Sequence, residues 1–391
     1  MNQVNLLENS YLWIENDKLA GLGPMANMET EVPESIRQQA RILECPGQYA
    51  FPLFVDAHSH LVFAAWRENE MEMRLEGKTY LDIAAAGGGI LNSALRLQNT
   101  PEEVLFEAAW DRLQALIRMG TGALEIKSGY GLTTEAELKM LRVIRQLREK
   151  APIPIKATFL GAHAIPKSHT SRETYLQLIE EEMLPLVARE NLADYCDVFC
   201  DTGFFTPEET IRILRKAGEF GLKAKVHANE LAKSGGVQAG VACQAVSADH
   251  LECMGDEELS LLQQSKTIPV LLPGTAFFLG IHPPDARAML NWNLPVALSS
   301  DYNPGTCPSG NMEFVISLAS LLLKMRPAEA IHAATLNSAC AMEVQDEAGQ
   351  ILPGRSASFF LTKPISSPAF LPYHFGETSL AEVWVNGKVF S

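Results

Sequence analysis

Eight short apolar runs alternate with helix-patterned stretches over the middle of the chain, and this alternation constrains the fold more than any other feature. The runs are "FPLFVDAH", "GALEIKSG", "IPIKATFLGAH", "YCDVFCD", "LKAKVHAN", "AVSADHL", "TIPVLLPG" and "PVALSSD". Between them lie stretches such as "PEEVLFEAAWDRLQALIRMG" and "TEAELKMLRVIRQLREK". In the second, apolar residues recur at helical spacing and basic residues gather near its end. Near-continuous apolar strands separated by helices imply a parallel sheet covered on both faces. Eight such units point to a (β/α)8 TIM barrel. A doubly wound open sheet is the alternative, but no Gly-rich phosphate fingerprint follows the first strand. "AAAGGGI" at 84–90 lies far beyond it and reads as a flexible active-site loop or a turn.

The two ends have a different pattern. "SYLWIENDKLAGLG" reads as a hairpin, and "LAEVWVNGKVF" carries an Asn-Gly turn signal between apolar runs. Residues 1–50 and 351–391 are therefore expected to pair into one small β-sandwich domain, with residues 51–350 forming the barrel. A chain of 391 residues with 47% hydrophobic content has material for both.

In a parallel barrel the functional groups gather at the carboxyl ends of the strands. Here those ends carry His58 and His60, Lys127, His163, Asp201, His227, His250 and Asp301. Five of the nine histidines fall there, which scatter does not readily produce. His58 and His60 stand two apart on a strand, so both rings face one side and can converge on one ion. Alone, such a pair is a weak signal. "KVHANE" and "LSSDYNPG" add His227 and Asp301 at other tips. Three imidazoles and a carboxylate suit zinc or iron. Such an ion acidifies water bound to it, which makes hydrolysis the default chemistry.

Glu230, three residues beyond His227, is placed to take a proton; the bland alternative is a solvated loop carboxylate or a helix N-terminal charge. His250 can polarise a carbonyl or pass a proton, or serve as a hydrogen-bonded core histidine. Asp301 can act both as ligand and as proton relay. Lys127 is expected to fill an interior polar role beside a single metal, and an ion pair with Glu125 is not expected.

The stretches "FVDAHSHLVFAAWRENEMEMRLEGKTYLDIAAAGGGI", "EIKSGYGL", "TFLGAHAIP", "VHANELA", "AVSADHLE" and "ALSSDYNPGTCP" resemble the amidohydrolase superfamily over about residues 50–355. They are most similar to its cyclic amidases of histidine degradation. The resemblance implies hydrolysis of the lactam C–N bond of 4-imidazolone-5-propanoate to N-formimidoyl-L-glutamate, with one zinc or iron ion held by His58, His60, His227 and Asp301. It puts Arg67 on the substrate's propionate, where a guanidinium pairs bidentately with a carboxylate. On composition alone Arg67 is an ordinary surface residue beside Glu68 and Glu70. Tyr80, Tyr130 and His163 match substrate-contacting positions. Asn303, Gly305 and Thr306 match positions that hold the amino-acid end, and Glu230 and His250 match the proton-handling pair. Two departures stand out: Asn229 replaces an Asp beside the ligand histidine, and Cys253 replaces a His after "HLE". The other reading within the superfamily is an aromatic deaminase with a mononuclear metal. A third is a barrel without activity serving as a scaffold, which the retention of all four candidate ligands opposes.

A net charge of −15 argues against nucleic acid or an anionic membrane as partner, since both need a basic face. A small molecule is the expected partner, and the resemblance carries a tendency to dimerise. No secretory signal or apolar run of membrane length is visible. The seven scattered cysteines read as reduced residues, which fits the cytoplasm.

Overall fold

The computed structural model describes residues 6–78, 82–83, 87–166, 169 and 171–391. Strands β1 (Ser10–Glu15), β2 (Lys18–Pro24) and β3 (Ala50–Pro52) belong to the N-terminal segment, and the barrel strands start at β4 (Phe54–Asp56). Then come β5 (Thr121–Lys127), β6 (Ile155–Ala162), β7 (Tyr195–Cys200), the split pair β8 (Lys223–Ala224) and β9 (Val226–Ala228), β10 (Ser247–His250), β11 (Ile268–Leu271) and β12 (Ala297–Leu298). They pair in parallel in the order β12-β11-β10-β9-β7-β6-β5-β4, with β8 on β7. Every residue of β5 and β7 is buried, as expected for strands covered on both faces. The fifth strand breaks at Lys225, whose side chain is fully buried inside the barrel.

Closure comes just past the strand ends. His60 N–H donates to the Tyr302 carbonyl at 2.8 Å, and Asp301 N–H to the His58 carbonyl at 3.0 Å. A parallel bridge joins Ser59 to Tyr302. The residues that seal the cylinder are thus the same ones that carry three of the candidate ligands.

The outer helices follow their patterns. The helix Glu102–Arg118 buries Leu105, Ala109, Leu113, Leu116 and Ile117, a stripe at i, i+4, i+8, i+11 and i+12. Each large apolar side chain so buried contributes on the order of 1.5–3 kcal/mol. Gly120 (φ 91°) lets the chain turn from that helix directly into β5. The helix Pro207–Glu219 is set by a capping box in which Thr206 and Glu209 satisfy each other's backbone N–H groups.

The ends meet on one side of the barrel. Strands β3 (Ala50–Pro52), β13 (Phe359–Thr362), β14 (Leu380–Val385) and β15 (Lys388–Val389) form an antiparallel sheet. Asn386 and Gly387 both take positive φ, 50° and 74°, in the turn between β14 and β15. The hairpin β1 (Ser10–Glu15) and β2 (Lys18–Pro24) joins that region through the Lys18–Ser356 bridge and backbone hydrogen bonds of Asp17 and Leu19 with Gly354, Arg355 and Ala357. Its Leu12, Ile14 and Leu19 pack with Ala357, Phe359, Leu361 and Trp384, which makes the two sheets a small sandwich. Among the described residues, no helix is long and apolar enough to cross a membrane.

Candidate active site

His58 and His60 follow β4 directly, and His227 lies within β9. All three are buried, and each offers a ring nitrogen within 4.8 Å of the others. Asp301, just past β12, completes the group: its Oδ1 lies 3.5 Å from His58 Nε2 and 3.7 Å from His60 Nε2. Thr275, on the helix Pro273–Leu279 after β11, donates its hydroxyl to Asp301 Oδ2 at 2.6 Å. That bond engages Oδ2 and leaves Oδ1 toward the histidines. His58 Nε2, His60 Nδ1 and both ring nitrogens of His227 are buried without a hydrogen-bond partner among the described residues. Buried polar atoms rarely stay unpaired. A tetrahedral ion taking one ring nitrogen from each histidine and the Asp301 carboxylate would engage His58 Nε2 and one nitrogen of His227, so the residues fit the metal. Burial, with Lys127 and the crowding of neighbouring imidazoles adding to it, holds His58, His60 and His227 well below the ordinary imidazole pKa. They therefore stand in the neutral form a metal requires.

Beneath the histidines lies a fully buried charge network. His58 Nδ1 is 2.6 Å from Asp249 Oδ2, which leaves Nε2 for the ion. His227 Nδ1 faces Asp197 Oδ2 at 2.9 Å, close but off the hydrogen-bonding direction, while the His227 amide donates to Asp197 Oδ1 at 3.0 Å. Lys127 Nζ reaches Glu125 and Asp197 at 2.7 Å and Asp249 at 3.3 Å. Lys225 pairs closely with Glu125, and Thr158 donates to Glu125 at 2.6 Å. Burial alone would lower the Lys127 pKa, but Asp197, Glu125 and Asp249 together raise it. The ion pair between Lys127 and Glu125, not expected from the sequence, is present. Residues i and i+2 of a strand share a face, and inside a closed barrel that face holds both side chains together.

Around the mouth, the His163 ring stacks on His60, with centroids 5.3 Å apart and planes at 12°. The Tyr130 ring meets both edge-on, at 5.5 Å and 5.4 Å. Burial holds His163 at about 4, with the Arg67 and Lys127 charges adding to it against the Gly129 carbonyl and Asp197. His250 ends β10 and takes a positive φ of 80°, as does the next residue, Leu251, at 68°. Two such residues in a row are costly for ordinary side chains and gather at functional sites. His250 Nδ1 lies 3.6 Å from Glu230 Oε2 and 3.9 Å from Glu252 Oε2. Burial, with Asp301 and Asp201 adding repulsion, pushes Glu230 up to about 8. The solvated-loop alternative for Glu230 does not hold, since its side chain is only 11% exposed.

Asp201 organises the loop that carries Glu230, accepting the amides of Thr202 at 2.7 Å and Leu231 at 2.8 Å. Asn303 organises the loop after Asp301. It accepts from the Gly305 and Thr306 amides at 2.8 and 2.7 Å and donates to the Asp301 carbonyl at 2.7 Å. Arg67 is buried rather than an ordinary surface residue, and its Nε and Nη2 bond Glu70 at 2.8 and 2.7 Å. Tyr80 lies outside the described residues. Asn229, at φ 56°, donates to the Cys253 carbonyl at 3.0 Å and accepts from the Gly236 amide at 3.2 Å. Its role is to tie the β9 and β10 tips together. Sequence reasoning misses Asp197, Asp249, Glu70 and Glu252. For Asp197 and Asp249 the signal is a charged residue inside an otherwise apolar strand, as in "YCDVFCD" and "AVSADHL".

This barrel, with its three-histidine cluster and neighbouring acids, defines a class of hydrolase. A profile of the amidohydrolase family matches residues 49–390. The chain is 47% identical to the imidazolonepropionase of Christiangramia forsetii over 390 residues, 100% of this chain and 93% of that one. It is 45% identical to the imidazolonepropionase of Flavobacterium johnsoniae with the same coverage. Among solved structures, the 5-methylcytosine deaminase of Klebsiella pneumoniae matches at a TM-score of 0.75 and 16% identity, covering 97% of this chain and 93% of that one. A guanine deaminase of E. coli matches at 0.69 and 17%, covering 98% and 92%. At such identities the deaminases share the fold alone. The chain belongs to the amidohydrolase family and, within it, to the imidazolonepropionases.

Proposed function

We propose that the chain hydrolyses the lactam C–N bond of 4-imidazolone-5-propanoate, giving N-formimidoyl-L-glutamate in histidine degradation. The observation that carries this reading is the convergence of His58, His60, His227 and Asp301 on one centre, in a chain 47% identical end to end to a named imidazolonepropionase. We assign one zinc or iron ion to those four residues. The unpartnered ring nitrogens support a metal, and a similar adenosine deaminase from Xanthomonas campestris was solved with bound zinc.

When bound, the ion supplies Lewis acidity that polarises a carbonyl and acidifies water. The protein's own groups do the rest. Arg67 pairs with the propionate, and His163 and Tyr130 wall the ring, so the lactam carbonyl is held over the cluster. Glu230 Oε2 takes the proton of the attacking water and returns one to the departing ring nitrogen. His250 donates to the carbonyl oxygen as negative charge develops there. The Asn303–Thr306 turn flanks the amino-acid end of the substrate. Seven free cysteines fit a reducing cytoplasm, and a homodimer is the assembly expected. The test is incubation with freshly generated imidazolone propanoate, following loss of its ultraviolet absorbance. Ammonia release from aromatic amines without lactam opening would point to a deaminase instead.

A further inference from the structure

Arg67 and Glu70 form a bidentate pair in which both side chains are nearly sealed from solvent, 7% and 3% exposed. Glu70 Oε1 also accepts the Gly89 amide at 2.8 Å, at the first residue of the helix Gly89–Gln98. Arg74 Nη2 stands 3.7 Å from Glu70 Oε2. One carboxylate therefore links the segment before the helix Asn69–Leu75 to the far side of the 79–88 segment. On the other side of the guanidinium, a Cβ added at Gly305 would overlap Arg67 Nη1. The planar group is thus held by Glu70 along its Nε–Nη2 edge and closely approached by the Gly305 backbone at Nη1.

A plain structural ion pair is the simpler account, and energetics weighs against it. Burying two charges costs as much as their attraction returns, so a sealed pair adds little net stability. A residue at i+3 that serves only stability is normally left in solvent, where the pair contributes a few tenths of a kcal/mol. What a buried bidentate pair does supply is a fixed plane for the guanidinium. That plane lies beside the loop that follows Asp301.

We propose that Glu70 is a positioning residue that fixes the Arg67 guanidinium for a carboxylate on the substrate, with Gly305 keeping the clearance that this orientation needs. The inference rests on the lactam-hydrolase reading and deepens it: Glu70 makes the site selective for an anionic tail. Removing the pairing loosens the hold on the Arg67 guanidinium, and the orienting energy is lost only for substrates that carry the tail.

The experiment compares wild type, Glu70→Gln, Arg67→Ala and the double variant on 4-imidazolone-5-propanoate and on its propanamide analogue. Glu70→Gln is expected to raise KM for the acid about 10-fold, the equivalent of one well-oriented charged hydrogen bond. It should lose at least about fivefold more kcat/KM with the acid than with the amide. Adding Glu70→Gln to Arg67→Ala should then cost little more, since the two act through one contact. Equal losses on both substrates, or additive losses in the double variant, overturn the proposal. Should Glu70→Gln not fold, Glu70→Asp keeps the charge and withdraws the carboxylate by one methylene; the same acid-selective rise in KM is expected, and its absence overturns the proposal. A wild type that opens neither substrate overturns the lactam reading itself, and this inference with it. A wild type that works beside an indistinguishable Glu70→Gln overturns this inference alone.

Discussion

Lys127 holds Asp197 at 2.7 Å and Asp249 at 3.3 Å, so one ammonium braces the two carboxylates behind His227 and His58. Two candidate ligands from opposite parts of the chain therefore share one buried support. Groups behind a metal ligand fix its orientation and raise its basicity, and their loss typically costs 10–100-fold in metal affinity.

Lys127→Met should weaken metal retention by about 10–100-fold in a chelator competition. It also strands buried carboxylates, a change that costs about 3–5 kcal/mol and lowers Tm. Metal affinity equal to wild type would show that Lys127 serves only the barrel interior.

His227→Ala removes one of the three clustered imidazoles. The protein should fold, since the truncated side chain leaves a polar centre rather than a core gap, but it should bind less than about a tenth of the wild-type metal. Elemental analysis after gel filtration measures this. Stoichiometric metal in that variant would place the ion elsewhere.

Much of this arrangement is legible in the sequence, for a physical reason. Apolar runs such as "GALEIKSG" became fully buried strands, and barrel geometry then places whatever follows each run at the mouth. His58, His60, His227 and Asp301 are legible as candidates because their positions depend only on local strand ends. The supports are not. The pairings His58–Asp249 and Lys127–Asp197 join residues 191 and 70 positions apart, and nothing local in the sequence encodes them. The buried partner of Lys225 is likewise Glu125, from another strand. Glu125 and Lys127 are visible in the sequence, but their i+2 spacing alone does not reveal a pair that the barrel interior enforces.

Asn229→Asp isolates what the amide does. An Asp cannot donate to the Cys253 carbonyl, so one half-buried hydrogen bond is lost. The expected cost is about 1–2 kcal/mol, a drop in Tm of a few degrees for a chain of this size. Metal content should hold, because the Asn229 side chain bonds the Cys253 and Gly236 backbone and the Ser234 hydroxyl rather than the His227 ring. A large loss of metal would show that the position acts on His227 after all.

Glu230→Gln keeps the shape of the side chain and removes its capacity to carry a proton. With metal content preserved, kcat should fall by about 10²–10⁴ while KM changes little. A fall below about threefold would assign proton transfer to another group, with Glu252 beside His250 the first to test.

The most direct measurement is turnover of 4-imidazolone-5-propanoate by the metal-loaded protein, with the product identified by mass spectrometry. The account predicts N-formimidoyl-L-glutamate, formed without free ammonia, with activity lost on chelation and restored by adding zinc or iron. Unchanged substrate in the presence of bound metal, or the same rate after complete metal removal, would contradict it.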